Sequence, residues 1–537
     1  MTVHGKFLRR GDDKFRLQAM RLPGIGATLD LSEKFTLRKR LDELAAANVN
    51  SLILSEAQAD TVLSLAGQSG LYAMVEIAID ADVFASPVHT LAIIDRIAKA
   101  VKDLRGYPSL IGFLIDCPLD HDAIAKLAPH QPHNALDAIV RAIRKTNSRL
   151  LIGINRRAEW RAIPFTDEDL VFANLAKTDP VDVGRTICEL HEIADARPLI
   201  IEVGEELPSQ DEVVARAFGF GAAGVVAPAM RRAVSSERQN IRMLSAGELL
   251  PFAHLDGSSV PLPAVTPMVS VVVTARDDER GIGRSLDSIN RLQYPNYEVI
   301  VIDDASRDRS AEIAGAAPGV RLMRQSSRAG FGAIRNIAIR AARGQLIALT
   351  RADCVVDVDW LVLAVRVLSE GRYDAVGGPV YVAPHEGGIA ARVILSLENA
   401  GSARAARDRM VQLADRNMLA RKSSLIAVGG FNARFIDDGG DRDLSARMLA
   451  AGMTLGWCPA GFVWRSGHST FRELLRQRIR DGRGEAMLAI GSLATIAQSL
   501  AHRHYTAAAS SEAVASTAPS GAAKGAARTP AAHTSSR

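Results

Sequence analysis

Acidic and basic side chains collect in this chain where a run of β-branched residues has just ended. Thr274 and Ala275 close the run VSVVVTA, and Arg276, Asp277, Asp278 and Glu279 follow it. A second run, EVIVIDD, ends in Asp303 and Asp304, ahead of Ala305, Ser306, Arg307 and Asp308. Carboxylates in such places can accept hydrogen bonds from a ligand, because the ligands of an open parallel sheet sit beyond the carboxyl ends of its strands. Acidic strand ends are also common turn formers, so an Asp-Asp pair alone does not separate binding from structure. Arg351 and Asp353 follow a third run, QLIALT, and Arg465 closes a last short one. Guanidinium forks suit phosphate oxygens, which they bind in a bidentate way. Asp441 precedes the helical pattern DLSARMLAAG, where an aspartate can cap the helix or serve as a base. Nearer the N-terminus, Glu202 lies at the end of PLIIEV.

Positioning these side chains requires at least two domains, since 537 residues exceed what one hydrophobic core usually serves. Residues 1–230 hold eight short apolar runs, beginning at Phe15, Ser51, Tyr72, Leu110, Leu150, Leu170, Pro198 and Ala223. Between most of them lie stretches such as LRKRLDELAAANV, whose apolar residues recur at three- and four-residue steps. Strand and helix alternating eight times predicts an α/β (β/α)8-like barrel, with an open doubly wound sheet as the alternative. Periodicity breaks down over 231–267, where HLDGSSVPLPAVTP reads as a linker. A second domain over 268–504 opens with a βαβαβ pattern and a Rossmann-like parallel sheet. The tail 505–537 lacks aromatic and large aliphatic side chains and is expected to be disordered.

The remaining totals exclude more than they suggest. A hydrophobic content of 47% with 23% charged residues is ordinary for a globular protein. The net charge of +5, from 65 basic and 60 acidic residues, does not argue for nucleic acid. Arginines do crowd Arg465 to Arg483, which suits phosphate groups, an anionic membrane surface or simply a solvated helix face. Four dispersed cysteines, Cys117, Cys188, Cys354 and Cys458, form no CxxC pair and indicate neither zinc nor a disulfide framework. With no signal-peptide pattern and no run of about 20 apolar residues, a cytoplasmic protein is expected. Ala486 to Ala501 is read as a surface helix in preference to an interfacial anchor.

From about Val269 to Ala486 the chain resembles a family 2 glycosyltransferase of the GT-A fold. The stretch SSRAGFGAIRNIAIRAARGQLIALTRADCVVDVDWL, Ser326 to Leu361, is similar to the family's Gly-rich turn, Arg-Asn helix (Arg335, Asn336) and DxD region. ADRNMLARKSSLIAVGGFNARF, Ala414 to Phe435, resembles its acceptor-side segment, and GWCPAGFVWRSGHSTFRELLRQRIRDGRGEA resembles its closing strand, loop and helix. The resemblance implies a nucleotide-sugar donor, with UDP as the carrier, held by Thr274, Ala275, Arg276, Glu279, Asp303, Asp304, Arg335, Asn336, Arg351, Asp353 and Arg465. It implies Asp441 as the general base of an inverting transfer, a glycan or lipid-linked acceptor, and membrane contact at the inner face through the Arg-rich closing segment.

The chain departs from the family at three places. Arg351 stands where the family has the first Asp of DxD, Gly440 where it has Glu before Asp441, and Arg465 where a His usually ligates the metal. Asp353 is thus the one expected metal ligand retained, although His468 could substitute, so the Mn or Mg site is degenerate. Three outcomes remain open from sequence: metal-independent transfer with arginines on the diphosphate, residual metal use through Asp353, or an inactive glycan- or nucleotide-binding protein. Residues 5–228 resemble, more diffusely, the barrel of the glycoside hydrolases related to family 2. That likeness implies that Glu202 matches a nucleophile at the seventh strand, where a retaining enzyme needs a second carboxylate about 5 Å away. Cys117 and Pro118 occupy the family's Asn-Glu position on the fourth strand, and a shift to Asp116 or Asp120 would redirect the side chain. A non-catalytic barrel that binds or orients a glycan is expected, against plain structural support.

Overall fold

The computed structural model describes residues 1–4, 6–11, 13–22, 29–116, 127, 130–155, 167–175, 182–194, 197–204, 210–227, 260–382, 413–436 and 439–465. Chain entry is a three-stranded antiparallel sheet, β1 (Thr2–His4), β2 (Phe7–Arg10) and β3 (Asp13–Phe15). Eight parallel strands follow: β4 (Leu17–Arg21), β5 (Ser51–Ser55), β6 (Tyr72–Ala78), β7 (Leu110–Asp116), β8 (Leu151–Asn155), β9 (Leu170–Asn174), β10 (Leu199–Glu202) and β11 (Gly224–Ala227). They close into a barrel because β11 pairs with β4, Gly224 opposite Leu17 through Ala227 opposite Met20. All eight coincide with the runs read from sequence, and closure rules out the open-sheet alternative. Their near-continuous Val, Ile and Leu content is what a parallel sheet covered on both faces requires.

The C-terminal domain is built on a seven-stranded sheet of order β14-β13-β12-β15-β19-β17-β20. These strands are β12 (Val269–Ala275), β13 (Tyr297–Asp303), β14 (Val320–Arg324), β15 (Leu346–Arg351), β17 (Ala375–Gly377), β19 (Met418–Arg421) and β20 (Leu455–Trp457). Strands β12 to β15 are parallel to their neighbours in that set, whereas β19 runs antiparallel to both β15 and β17. A smaller sheet, β16-β21-β18, joins β16 (Cys354–Val356), β18 (Val380–Val382) and β21 (Val463–Arg465). Alternation along β12 divides its side chains between two cores: Val271 and Val273 face one, Val272 the other.

The first of those cores continues into the barrel, where Phe218, Phe220 and Ala222 share it with Leu363, Ala460 and Phe462. Residues 260–267, the end of the stretch read as a linker, lie on the C-terminal domain. Arg366 donates to the Pro261 carbonyl, Tyr294 to that of Pro267 and Asn296 to that of Thr266. The rest of that stretch, the 505–537 tail, the Ala486–Ala501 segment and the arginines beyond Arg465 lie outside the described residues. No described helix is long and apolar enough to cross a membrane.

Candidate functional site

Parallel pairing brings the ends of β12, β13 and β15 level: Ala275 stands opposite Asp303 and Thr274 opposite Arg351. The crossing is tied by backbone, Asp304 N–H donating to the Ala275 carbonyl and Ala352 N–H to that of Thr274, each at 3.0 Å. Two non-glycine residues in the turns just beyond, Asp277 (φ 52°) and Ala305 (φ 55°), adopt left-handed backbone. Such conformations cost about 1–2 kcal/mol for an ordinary residue and persist where the surroundings over-determine them.

Several residues expected on a nucleotide are hydrogen-bonded to one another and to the backbone of the turns beyond the strand ends. Asp303 is fully buried and accepts from the Ser306 hydroxyl and, at 3.1 Å, the Ser306 amide. Asp304 accepts from the amides of Ala329 and Gly330 at 2.7 and 3.1 Å, fastening the Gly-rich turn to the end of β13. Gly330 is required there: its φ is +87°, and a Cβ would lie 2.8 Å from the Ile436 backbone. Glu279 joins the same turns, its amide donating to Asp308 and its carboxylate accepting from the Arg309 amide. Arg276 lies with Nη1 3.5 Å from Asp304 and keeps about a quarter of its side chain exposed. Asn336 is committed elsewhere, since its side-chain amide both donates to the Phe431 carbonyl (2.7 Å) and accepts from the Phe431 amide (2.8 Å).

Beyond β15 the charges concentrate. Asp353 has Arg351 Nε at 3.6 Å and Arg416 Nε at 3.9 Å. Burial alone would raise its carboxyl, yet Arg351, Arg416 and Arg465 together pull it down to about 2. Arg465 reaches this cluster because β21 pairs with β16 and sets it opposite Cys354. The Arg351 guanidinium lies 4.3 Å from the centre of the Phe331 ring. Next to this cluster, Arg335 is buried against Asp415, with Nη2 2.5 Å from the carboxylate. Asp441 belongs to the same group: burial, followed by the charge of Asp415, pushes it up to about 6, while Arg335 and Arg416 oppose the rise. The helix Gly440–Ala450 begins earlier than its sequence pattern suggested, so Asp441 stands in the first turn and Gly439 occupies the cap. Asp353, Arg416, Arg335, Asp415 and Asp441 therefore form one group of opposed charges, Arg416 acting on both Asp353 and Asp441. Neither Arg416 nor Asp415 was singled out from sequence, although both lie inside the ADRNMLARK segment.

This donor set does not fit a divalent ion. Among the described residues no three His, Cys, Asp or Glu side chains converge, and Asp353 has the guanidiniums of Arg351 and Arg416 within 4 Å and feels the charge of Arg465. Hard cations want several oxygen ligands and would be repelled by that shell. An anion with paired oxygens, such as a diphosphate, meets the charge it needs. His468 lies outside the described residues.

Residues 270–431 match the family model for glycosyl transferase family 2. The C-terminal domain is a family 2 glycosyltransferase domain. Its curated relatives include glycosyltransferase AglE of Haloferax volcanii, 28% identical over 230 residues, covering 42% of this chain and 75% of that protein. A beta-monoglucosyldiacylglycerol synthase of Nostoc sp. is 32% identical over 118 residues, 20% of this chain and 25% of the relative. Among solved structures, a mannosyltransferase of Pyrobaculum calidifontis in complex with GDP-Man and Mn2+ is 24% identical, with a TM-score of 0.34, covering 41% of this chain and 62% of the other. The chain thus spans only part of the length of these relatives, and the likeness falls on the transferase domain.

The barrel presents a second polar group at the carboxyl end of its strands. Arg21, ending β4, donates to Glu202 through Nε (2.9 Å) and also to Glu76 on β6. Asp116, ending β7, accepts from Asn155, ending β8, at 2.9 Å. Burial raises Glu76 despite the neighbouring Arg21. The carboxylate bridged to Glu202 therefore comes from the third strand, through an arginine; Cys117, Pro118 and Asp120 lie outside the described residues. A glycoside-hydrolase relationship remains an expectation from sequence alone, while the closed parallel barrel stands by itself.

Proposed function

We propose that this protein transfers a sugar from a nucleotide donor, with UDP as the carrier, to a glycan or lipid-linked acceptor with inversion at the anomeric carbon, and that it does so without a metal. The observation that carries this reading is the Asp353 shell of Arg351, Arg416 and Arg465 set beside Asp441 with its raised carboxyl. In the proposed step Asp441 takes the proton of the acceptor hydroxyl as its oxygen bonds to the anomeric carbon. The bond from that carbon to the diphosphate oxygen breaks, and UDP leaves with the bonding electrons. Arginines fixed in place stabilise the charge that gathers on the departing diphosphate, the task for which preorganised donors are most effective. Asp303, Asp304, Arg276 and Glu279 shape the nucleoside end, with Thr274 and Ala275 as its floor, and Asn336 holds the acceptor-side turn. Arg335 keeps Asp415 paired next to the base. The barrel, with Glu202 engaged by Arg21, orients a glycan without cleaving it. Placement at the cytoplasmic face of a membrane follows from a lipid-linked acceptor.

Calorimetric titration with UDP and UDP-sugars, run with manganese and again with excess chelator, tests the donor site. Binding should survive chelation and be lost in Arg351→Ala. An absence of nucleotide binding under both conditions overturns the reading.

A further inference from the structure

The barrel's opening residues reach into the transferase domain at one place that bears on the phosphate shell. Lys14, on β3, places Nζ 2.8 Å from Asp357 and 2.5 Å from Asp359, and Arg16, just before β4, places Nη2 2.6 Å from the same Asp359 oxygen. Both partners lie on the segment that leaves Asp353, runs through β16 and enters the helix Trp360–Glu370. Asp359 is the N-cap of that helix but makes no side-chain capping bond; its fully buried carboxylate is turned to the barrel instead. An N-cap aspartate normally accepts from its own helix amides, so this use of the side chain gives up a local bond for a long-range one. Burial would raise Asp359, and Lys14 with Arg16 holds it below the ordinary carboxylate value.

The same segment is tied onward to the arginines. Trp360 Nε1 donates to Asn417 Oδ1 at 2.8 Å, and Asn417 is buried directly after Arg416. On the other side β16 pairs with β21, which carries Arg465. The N-terminal sheet packs on that strand as well, His4 against Trp464 at 5.2 Å between ring centres and Phe7 against Phe462 at 5.6 Å. Arg465 is thus one residue from Trp464, which His4 meets, and Arg416 is one residue from Asn417, which is bound by Trp360 directly after Asp359; Arg351 lies two residues before Asp353, at the start of the segment that Asp357 and Asp359 close.

We infer that Lys14 and Arg16 are positioning residues for the diphosphate subsite, a brace by which the barrel's entry holds the Asp353–Asp359 segment and its arginines in binding geometry. Neither touches the nucleotide; each acts through Asp357 and Asp359. This inference rests on the proposed donor site, and the test keeps the two apart.

UDP is titrated into the full-length protein and into Lys14→Met, Arg16→Met and Asp357→Asn, with Arg351→Ala as the donor-site control. Arg216→Ala is the interface control, because it breaks the Arg216–Glu370 pair at the opposite end of the same helix. Displaced positioning residues commonly change coupling by about threefold to thirtyfold, and weakening of that size is expected in the three brace variants, with little change in Arg216→Ala. In donor hydrolysis the brace variants should raise KM for UDP-sugar and, because the same arginines stabilise the departing diphosphate, lower kcat as well, whereas a smaller folded fraction alone would lower apparent kcat and leave KM unchanged. Asp357→Asn, the mildest change, serves if Lys14→Met or Arg16→Met does not fold. Folded brace variants that bind UDP as wild type does, or lose no more affinity than Arg216→Ala, overturn the brace while Arg351→Ala still weakens binding. Unchanged binding in Arg351→Ala overturns the donor site and the brace with it.

Discussion

Replacing Asp415 by Asn probes how Asp441, the proposed base, is tuned. Asp441 stands at about 6 because burial and then the Asp415 charge disfavour its ionised form. Asn has the same shape and no charge, and it frees Arg335, whose guanidinium already acts to lower Asp441. A charge in close contact is worth about 1–3 units, so the carboxyl should fall by at least about one unit, toward 5. A base must be ionised to accept a proton, so activity rises with pH through its value and levels off above. At pH 5 wild type then keeps about a tenth of Asp441 ionised and the variant about half, a gain of about fivefold in kcat/KM at that pH, with the plateau above pH 7 little changed. UDP release during donor hydrolysis, followed from pH 4.5 to pH 8, reads this directly. An acid limb that stays in place or moves upward refutes the tuning argument. Loss of the plateau as complete as in Asp441→Asn would hand the base role to Asp415.

Two further outcomes are expected. Asn336→Leu leaves the amide and carbonyl of Phe431 without these partners and should cost about 2–6 kcal/mol, measured by urea unfolding, because buried backbone groups lose their bonds at about 1–3 kcal/mol each. Ala305→Gly removes a left-handed alanine from the turn after β13 and should raise the melting temperature or leave it unchanged, whereas a fall would mean the alanine methyl contributes packing that outweighs the strain.

Legibility from sequence followed how locally each feature is encoded. The barrel strands were readable because each is an apolar run between turn residues, and a covered parallel strand leaves no other composition available. The sheet β1–β3 was missed: TVH, FLRR and DKF are short, charged and half exposed, and become strands only because β2 has the core of the neighbouring domain to pack on. Strand β14, VRLMR, escaped for a similar reason, as a partly exposed edge. Within the site, strand ends located Thr274, Asp303, Asp304 and Arg351, but strand ends do not say which carboxylates are already taken by backbone amides. Asp304 and Asn336 look alike in sequence to ligand-binding side chains and differ only in what the fold brings to them. Asp415 and Arg416 carried no signal by spacing, since their partners Arg335 and Asp353 are distant in the chain.

His4 and Phe7 meet Trp464 and Phe462, so β1 and β2 find these partners only after more than four hundred further residues of chain have been made. Until then Phe15 on β3 can already meet Tyr72 of the barrel, whereas His4 and Phe7 must wait for the two aromatic rings of the transferase half. Contacts of such long sequence separation form late and slow the final folding step. The two halves can be told apart by topology, yet they share a core and these long-range contacts, so a cut between them would expose apolar surface on both sides.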